Sequence, residues 1–339
     1  MVQLALLPPH RHALSFPSPR HTFSVSRLMR PAMPSFISIC EVGPRDGLQI
    51  AKTRMTTEAK VRWIQSLAAA GLQEIEVGSF VPPRVIPQLS DTPEIVAQVL
   101  ATCPNLTIQA LAPNLRGVQN AYNAGVHKIS IPISVSDGHS MANLNRMPAQ
   151  SIEMMKEIMV WMRAQPRQVP IIVGASTAFG CSIDGVVPTA KTVALAKGLA
   201  DVGVAHIMLA DTVGYAHPAQ IKEVVRAARD AIGDRLYGLH LHDTCGLGIA
   251  NALAGLEEGI RAFDSCLAGL GGCPYAPGAS GNIVTEDLVF MLESMGFDTG
   301  IDLPQLIASR QVLHEGLPAE PMHGQVSKAG IPRTFKEAA

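Results

Sequence analysis

The chain has 339 residues, 47% of them hydrophobic and 16% charged, with a formal charge of −1. That length fits two average domains or one large α/β barrel, and the apolar fraction excludes a disordered chain. Apolar runs such as Val169–Ala175 are too short to cross a bilayer. No basic stripe marks a nucleic-acid surface, and six cysteines without a Cys-x-x-Cys pair suit thiols in a reducing compartment better than a disulfide or zinc framework.

Residues 1–34 read as lying outside the fold. They carry Arg11, Arg20, Arg27 and Arg30 with no acid before Glu41, and no helical or strand period. Without those four arginines the formal charge of −1 becomes −5. Arg and Ser without acids suit a mitochondrial transit peptide. Pro8, Pro9, Pro17 and Pro19 would break a targeting helix, and favour a disordered extension or a start assigned too far upstream, with Met29 or Met33 the true beginning. The body is rich in Ala and Arg and sparing in Lys, as in a GC-rich bacterial gene. The expected compartment is the cytoplasm, with the mitochondrial matrix as the alternative.

From Ser35 to the C-terminus the pattern alternates strand and helix. Short β-branched runs occur at Phe36–Cys40, Glu74–Val77, Leu106–Leu111, Lys128–Ile133, Ile171–Gly174, His206–Ala210, Leu239–His242 and Ala262–Cys266. Amphipathic stretches fall between them at Thr56–Ala70, Thr92–Ala101, Ser151–Arg163, Thr189–Asp201, Pro218–Ala231 and Leu247–Gly259. Thr56, Asp91 and Ser151 are candidate caps and Pro218 a first helical residue, while Gly71, Gly125, Gly203 and Gly259 are candidate stops. Eight such units without a mid-chain break predict a closed (β/α)8 TIM barrel over 35–339, ahead of a doubly wound sheet. A Gly-rich lid loop, Gly269–Gly281, then leads to a helix at Ile283–Met295 and a short C-terminal helical extension.

In such a barrel the site is built at the C-terminal ends of the strands. Glu41, Arg45, Asp46, Glu76, Ser79, Asn114, Asp211, Thr212, His240, His242, Asp243, Cys273 and Asn282 all fall there. His240 and His242 are two apart on one strand and share a face. Alone they could be core histidines satisfied by hydrogen bonds. With Asp46 and Asn282 they form a mixed nitrogen and oxygen set without thiolate, suited to Mg2+ or Mn2+. Arg45 could hold an enolate or carboxylate oxygen, or form a salt bridge to Glu76. Glu76, in an Ile-Glu-Val strand, is a poor packing residue and could orient Arg45. The loop Gly269–Asn282 lacks a dinucleotide fingerprint, since Pro274 takes the last glycine's place. It reads as a mobile lid carrying Cys273, either as an acid–base thiol or a structural one.

Three segments resemble a known family: Glu-Val-Gly-Pro-Arg-Asp-Gly-Leu-Gln at 41–49, Glu-Val-Gly-Ser-Phe-Val at 76–81, and Gly-Leu-Gly-Gly-Cys-Pro-Tyr-Ala-Pro-Gly-Ala-Ser-Gly-Asn at 269–282. They are similar to hydroxymethylglutaryl-CoA lyases, members of the DRE-TIM metallolyases, over about Ser35 to Leu313. The resemblance implies Asp46, His240, His242 and Asn282 as ligands of a divalent metal, Arg45 as an electrostatic catalyst that also binds substrate, and Cys273 as a catalytic thiol. It also implies supporting catalytic roles for Glu76, Asp211 and Glu286, and substrate binding by Lys52. Two segments depart from the family: Ile50-Ala51 before Lys52, and Ser136–Asn145 after the fourth strand, which reads as a loop of small and polar residues walling the acyl pocket.

The implied reaction is retro-Claisen cleavage of 3-hydroxy-3-methylglutaryl-CoA to acetyl-CoA and acetoacetate, as in leucine breakdown. Citramalyl-CoA or another 3-hydroxy-3-alkyl dicarboxyl-CoA is the alternative substrate. A condensing enzyme resembling isopropylmalate or citramalate synthase fits less well, since few residues follow Cys273 and Asp243 follows His242 where those enzymes have Asn. A non-enzymatic scaffold would not keep a full set of competent residues. The implied partner is an acyl-CoA, with no nucleic acid and no membrane; the oligomeric state is not legible, a homodimer being compatible. Deleting Met1–Pro31 is expected to leave melting temperature and turnover unchanged, and a large fall in melting temperature would show instead that the segment docks.

Overall fold

The computed structural model describes residues 35–271 and 281–335. Eight parallel strands close into a barrel in sequence order: β1 (Ser38–Glu41), β2 (Glu74–Ser79), β3 (Thr107–Leu111), β4 (Lys128–Ser134), β5 (Ile171–Ser176), β6 (His206–Asp211), β7 (Leu236–Leu241) and β8 (Ala262–Ser265). Closure comes from β8 pairing with β1, Cys40 opposite Asp264. The predicted TIM barrel is the observed fold, and the doubly wound alternative is not. The lid residues 272–280, Cys273 among them, and the segment 1–34 lie outside the described residues.

The outer layer is helical: α1 (Thr57–Ala69), α2 (Thr92–Thr102), α3 (Leu115–Ala124), α4 (Asp137–Leu144), α5 (Pro148–Arg163), α6 (Thr189–Asp201), α7 (Pro218–Ile232), α8 (Gly248–Glu257) and α9 (Thr285–Ser294). Two further helices, α10 (Leu303–Gly316) and α11 (Gln325–Ala329), form the C-terminal extension. Gly71, Gly125, Gly203 and Gly259 all stand at positive φ, between +86° and +98°, which is why glycine ends those helices. Thr56 caps α1 by accepting from Ala59 N–H at 3.2 Å. Ser151, expected as a cap, is instead buried one turn inside α5, which begins at Pro148. Among the described residues no helix is long and apolar enough to cross a membrane.

Strand alternation separates two chemistries. Along β2, Ile75 and Val77 join the apolar cluster beneath the helices, while Glu76 lines the central cavity. Gln109, Ser130, Met208 and His240 line the same cavity from other strands. Parallel neighbours with matched registers bring these side chains into layers inside the barrel. β5 outruns its apolar pattern to Ser176, which lines the cavity.

The segment after β4 differs from expectation. Residues 137–144 are the helix α4, not a loop. Gly138 makes this possible: its N–H donates to Asp184 Oδ2 at 2.8 Å, and a Cβ there would meet the Asp184 carboxylate at 2.1 Å. Helix α3 also escaped the sequence reading, since its buried face is carried by small residues, Gly117, Val118 and Ala121.

Lys60 on α1 is 1% exposed and donates to Asp91 Oδ1 at 2.7 Å. Asp91 also accepts from the Thr57 hydroxyl at 2.8 Å, so the expected cap of α2 serves as a bridge between two helices. Removing one partner strands a buried charge. Asp91→Ala should therefore cost about 3–5 kcal/mol in denaturant unfolding, and Lys60→Met combined with Asp91→Ala should cost less than Asp91→Ala alone.

Candidate active site

The chain leaves β1 through a tight, wide turn. Val42 C=O accepts from the N–H groups of Arg45 at 3.0 Å, Asp46 at 2.7 Å and Gly47 at 3.4 Å. Such π-type turns recur at functional sites. This one points both Arg45 and Asp46 into a cavity of about 240 Å³ at the C-terminal mouth of the barrel. Glu41, at the base of the turn, accepts from Gly43 N–H at 3.0 Å, from Leu267 N–H at 2.9 Å and from the Thr285 hydroxyl at 2.7 Å. It thereby ties β1 to the segments before and after residues 272–280.

Arg45 is a fork with both tines engaged. Its Nε donates to Glu76 and its Nη1 to Asp46. Glu76 in turn accepts from the Ser130 hydroxyl and, at 3.4 Å, from the Gln109 amide. Burial alone would lower the guanidinium's pKa, but Glu76, Asp46 and Asp264 together raise it above its ordinary value. Burial pushes the Asp46 carboxyl up, and Arg45 with His242 and His240 outweighs it and holds Asp46 well below the usual carboxylate range.

His240 and His242 face each other, Nε2 to Nε2 at 3.1 Å. Asp46 Oδ2 stands 3.7 Å from His242 Nε2 and 4.0 Å from His240 Nε2. These three residues form a group able to hold a metal ion, with all donor atoms within 4.8 Å of one another. Asn282, bridged to His242 through the backbone, brings its amide Nδ2 to 2.8 Å from Asp46 Oδ2. Its Oδ1 is buried and has no hydrogen-bond partner among the described residues. Two imidazoles and a carboxylate, with an orphaned amide oxygen on the residue bonded to that carboxylate, fit a cation rather than a closed hydrogen-bond network. Charge argues the same way. Asp46, Glu76 and Asp264 surround one guanidinium, so the cluster formally lacks two positive charges.

The remaining expected residues lie around this centre. Asp211 is buried and accepts from Tyr215 N–H at 3.1 Å and Ala216 N–H at 3.0 Å, shaping the turn after β6; burial raises its pKa. Glu286 is buried at the start of α9, accepts from Ala268 N–H at 3.1 Å and pairs with Arg310, and burial raises its pKa too. Neither lines the cavity. Lys52 is exposed outside it, its N–H bonded to Glu320 Oε1 at 2.7 Å. Asn114 caps α3 by accepting from Gly117 N–H, and Asp243 accepts from Gly248 N–H at 2.7 Å.

Polar cavity residues such as Gln109, Ser130 and Asp264 escaped the sequence reading, whereas His139 belongs to the segment expected to wall the acyl pocket. His139 sits on α4, 2.7 Å from the Ser134 hydroxyl. Asp264 stands in the strand Ala-Phe-Asp-Ser, where a buried acid carried the same signal that singled out Glu76.

A closed (β/α)8 barrel whose C-terminal mouth gathers two imidazoles, a carboxylate and a guanidinium defines a barrel enzyme with a candidate divalent-metal centre. The chain belongs to the HMGL-like family, which it matches over residues 36–313. It is 38% identical over 298 residues to a hydroxymethylglutaryl-CoA lyase of Bacillus subtilis, covering 87% of this chain and 99% of that one. It is 39% identical over 303 residues to the (R)-citramalyl-CoA lyase of Chloroflexus aurantiacus, covering 87% and 95%. Among solved structures, an HMG-CoA lyase from Acinetobacter baumannii in complex with coenzyme A and 3-methylmalate aligns with a TM-score of 0.81 at 38% identity, covering 89% of this chain and 97% of that one.

Burial lifts Glu41 to about 7 from an ordinary 4.5, against the opposing pull of Thr285, Leu267 and Gly43. A carboxyl raised on folding binds its proton more tightly in the native state. Its stabilising contribution is complete below about 4.5 and is lost as pH rises through about 7. Melting temperature should therefore fall between about pH 5 and pH 8, and Glu41→Gln should flatten that slope relative to wild type.

Proposed function

We propose that the chain is a carbon–carbon lyase that cleaves 3-hydroxy-3-methylglutaryl-CoA to acetyl-CoA and acetoacetate. The observation that carries this reading is the Arg45–Asp46 pair set against His240 and His242 at the mouth of a barrel of this family. In the reaction the C3 hydroxyl loses its proton, the C2–C3 bond breaks, and acetyl-CoA leaves as its enolate, to be protonated at carbon.

Asp46, His240, His242 and Asn282 would hold Mg2+ or Mn2+. Such a cation supplies Lewis acidity that eases ionisation of a substrate hydroxyl. Arg45, always charged and fixed by Glu76, meets the negative charge that develops on the thioester oxygen. His240 and His242, as ligands, are poor free bases. Cys273 is proposed as the thiol that hands a proton to the enolate carbon. Asp211 and Glu286 serve by shaping the loops around the site, and Lys52 would meet the coenzyme outside the cavity. The enzyme is proposed to act in the cytoplasm, in leucine breakdown.

Citramalyl-CoA is the second reading, favoured by the Chloroflexus relative and by the wall that α4 builds from His139, Asn143 and Leu144. Both substrates present a tertiary alcohol, a carboxylate and a thioester. They differ by one methylene, which a pocket discriminates by only about 1–3 kcal/mol.

The test is to incubate pure protein with each acyl-CoA and to assay acetoacetate and pyruvate. Chelation should abolish turnover, and Mg2+ or Mn2+ should restore it. Arg45→Lys keeps the charge but loses the fork, and should lower kcat by about 10²–10³ with a modest change in KM. Cys273→Ser should lower kcat while metal content stays intact. Full activity in metal-free protein would refute the ligand set. Pyruvate formation without acetoacetate would replace the substrate and keep the mechanism.

A further inference from the structure

Asp264 touches the candidate metal centre without belonging to it. β7 and β8 pair so that His240 and Asp264 are direct partners across two parallel strands. Residues paired in this way project to the same side of a sheet. The barrel register therefore sets the carboxylate beside the imidazole, Oδ2 3.0 Å from Nδ1. Asp264 lines the main cavity and also a small one of about 10 Å³ towards the barrel floor, which Glu74 and Tyr237 line as well. Lys128 near that floor is already engaged, 2.5 Å from Glu74, which leaves the Asp264 hydrogen bond directed at His240.

A neutral imidazole has two ring nitrogens and one proton. A carboxylate only accepts, so the proton of His240 must sit on Nδ1 and the lone pair on Nε2. Nε2 is the nitrogen that faces His242 and Asp46. His242 has no such orienter among the described residues, where its Nδ1 is buried without a hydrogen-bond partner. His240 is thus held through Nδ1 with its Nε2 lone pair turned to the site before any cation arrives.

We propose that Asp264 is a positioning residue that holds His240 as a ligand through Nε2 and thereby strengthens divalent-cation binding. The inference rests on the metal reading of the site. A carboxylate that merely satisfied a buried ring would leave cation affinity unchanged when replaced by a neutral isostere.

The experiment titrates the full-length protein with Mn2+ alone, by equilibrium dialysis, and compares Asp264→Asn with wild type. Loss of a carboxylate behind a ligand histidine should weaken Mn2+ binding by roughly 10–100-fold, and saturating Mn2+ should restore most of kcat. In parallel, nitrogen NMR of the Mg2+-loaded wild-type protein should show the His240 proton on Nδ1. Affinity of Asp264→Asn within about twofold of wild type, or a His240 proton on Nε2, would overturn the proposal. If Asp264→Asn does not fold, the wild-type NMR assignment still decides. If wild-type protein binds no Mn2+, the metal reading fails by itself, and the ring assignment in the metal-free protein separately supports or overturns the orienting role.

Discussion

The mouth of this barrel depends on one buried guanidinium. Arg45 reaches Glu76 from β2 with one nitrogen and Asp46, its own neighbour, with another. Without it, two largely buried carboxylates would face each other, and burial would drive their protons on. With it, Asp46 stays ionised and points at the two histidines. A lysine could balance the charge but could not grip two carboxylates in fixed directions. The same fork that stabilises the turn after β1 is the group that would meet an anionic reaction centre in the proposed mechanism, so stability and chemistry would draw on one side chain.

Around this centre the structure uses carboxylates as backbone anchors. Glu41 gathers N–H groups from Gly43 and Leu267, Asp211 those of Tyr215 and Ala216, and Glu286 that of Ala268. Glu41 and Asp211 end strands and Glu286 opens α9, and each meets backbone donors that have left the ladder and need acceptors. Glu41 and Glu286 brace the two ends of the segment that carries the glycine loop, and Ala268 between them stands at a φ of +61°, a strained value for a residue with a Cβ. Ala268 C=O also accepts from His323 N–H at 2.8 Å, so the C-terminal extension is part of this brace.

Helix α4 gives the cavity its other wall. Asp184, from the loop after β5, secures its first turn, and Lys191 pairs with Asp137 at 2.9 Å. His139 is thereby buried against Ser134 at the edge of the cavity. This wall lines the same cavity as the metal-competent group and differs in kind from it. In the proposed reaction the centre would meet the alcohol, carboxylate and thioester, and the wall the alkyl or carboxymethyl group of the substrate.

The eight-fold alternation of strand and helix, the helix-ending glycines and the placement of polar residues at strand ends were all legible in the sequence, because each is a local signal with period 2, period 3.6 or a single turn residue. Arg45, Asp46, His240, His242 and Asn282 were legible as a set because the barrel rule brings strand ends together. What the sequence could not settle was partnership. Asp264 is one acid in a four-residue strand, and its neighbour across β7 is decided by register. Asp211, Asn114 and Asp243 have the composition of site residues, yet their oxygens go to backbone N–H groups. Helix α4 has little apolar periodicity, and forms because Asp184, distant in sequence, meets Gly138. Local pattern determines which elements form and which way their side chains alternate; only closure of the barrel decides which side chains meet, since a contact across strands depends on register that no single segment contains.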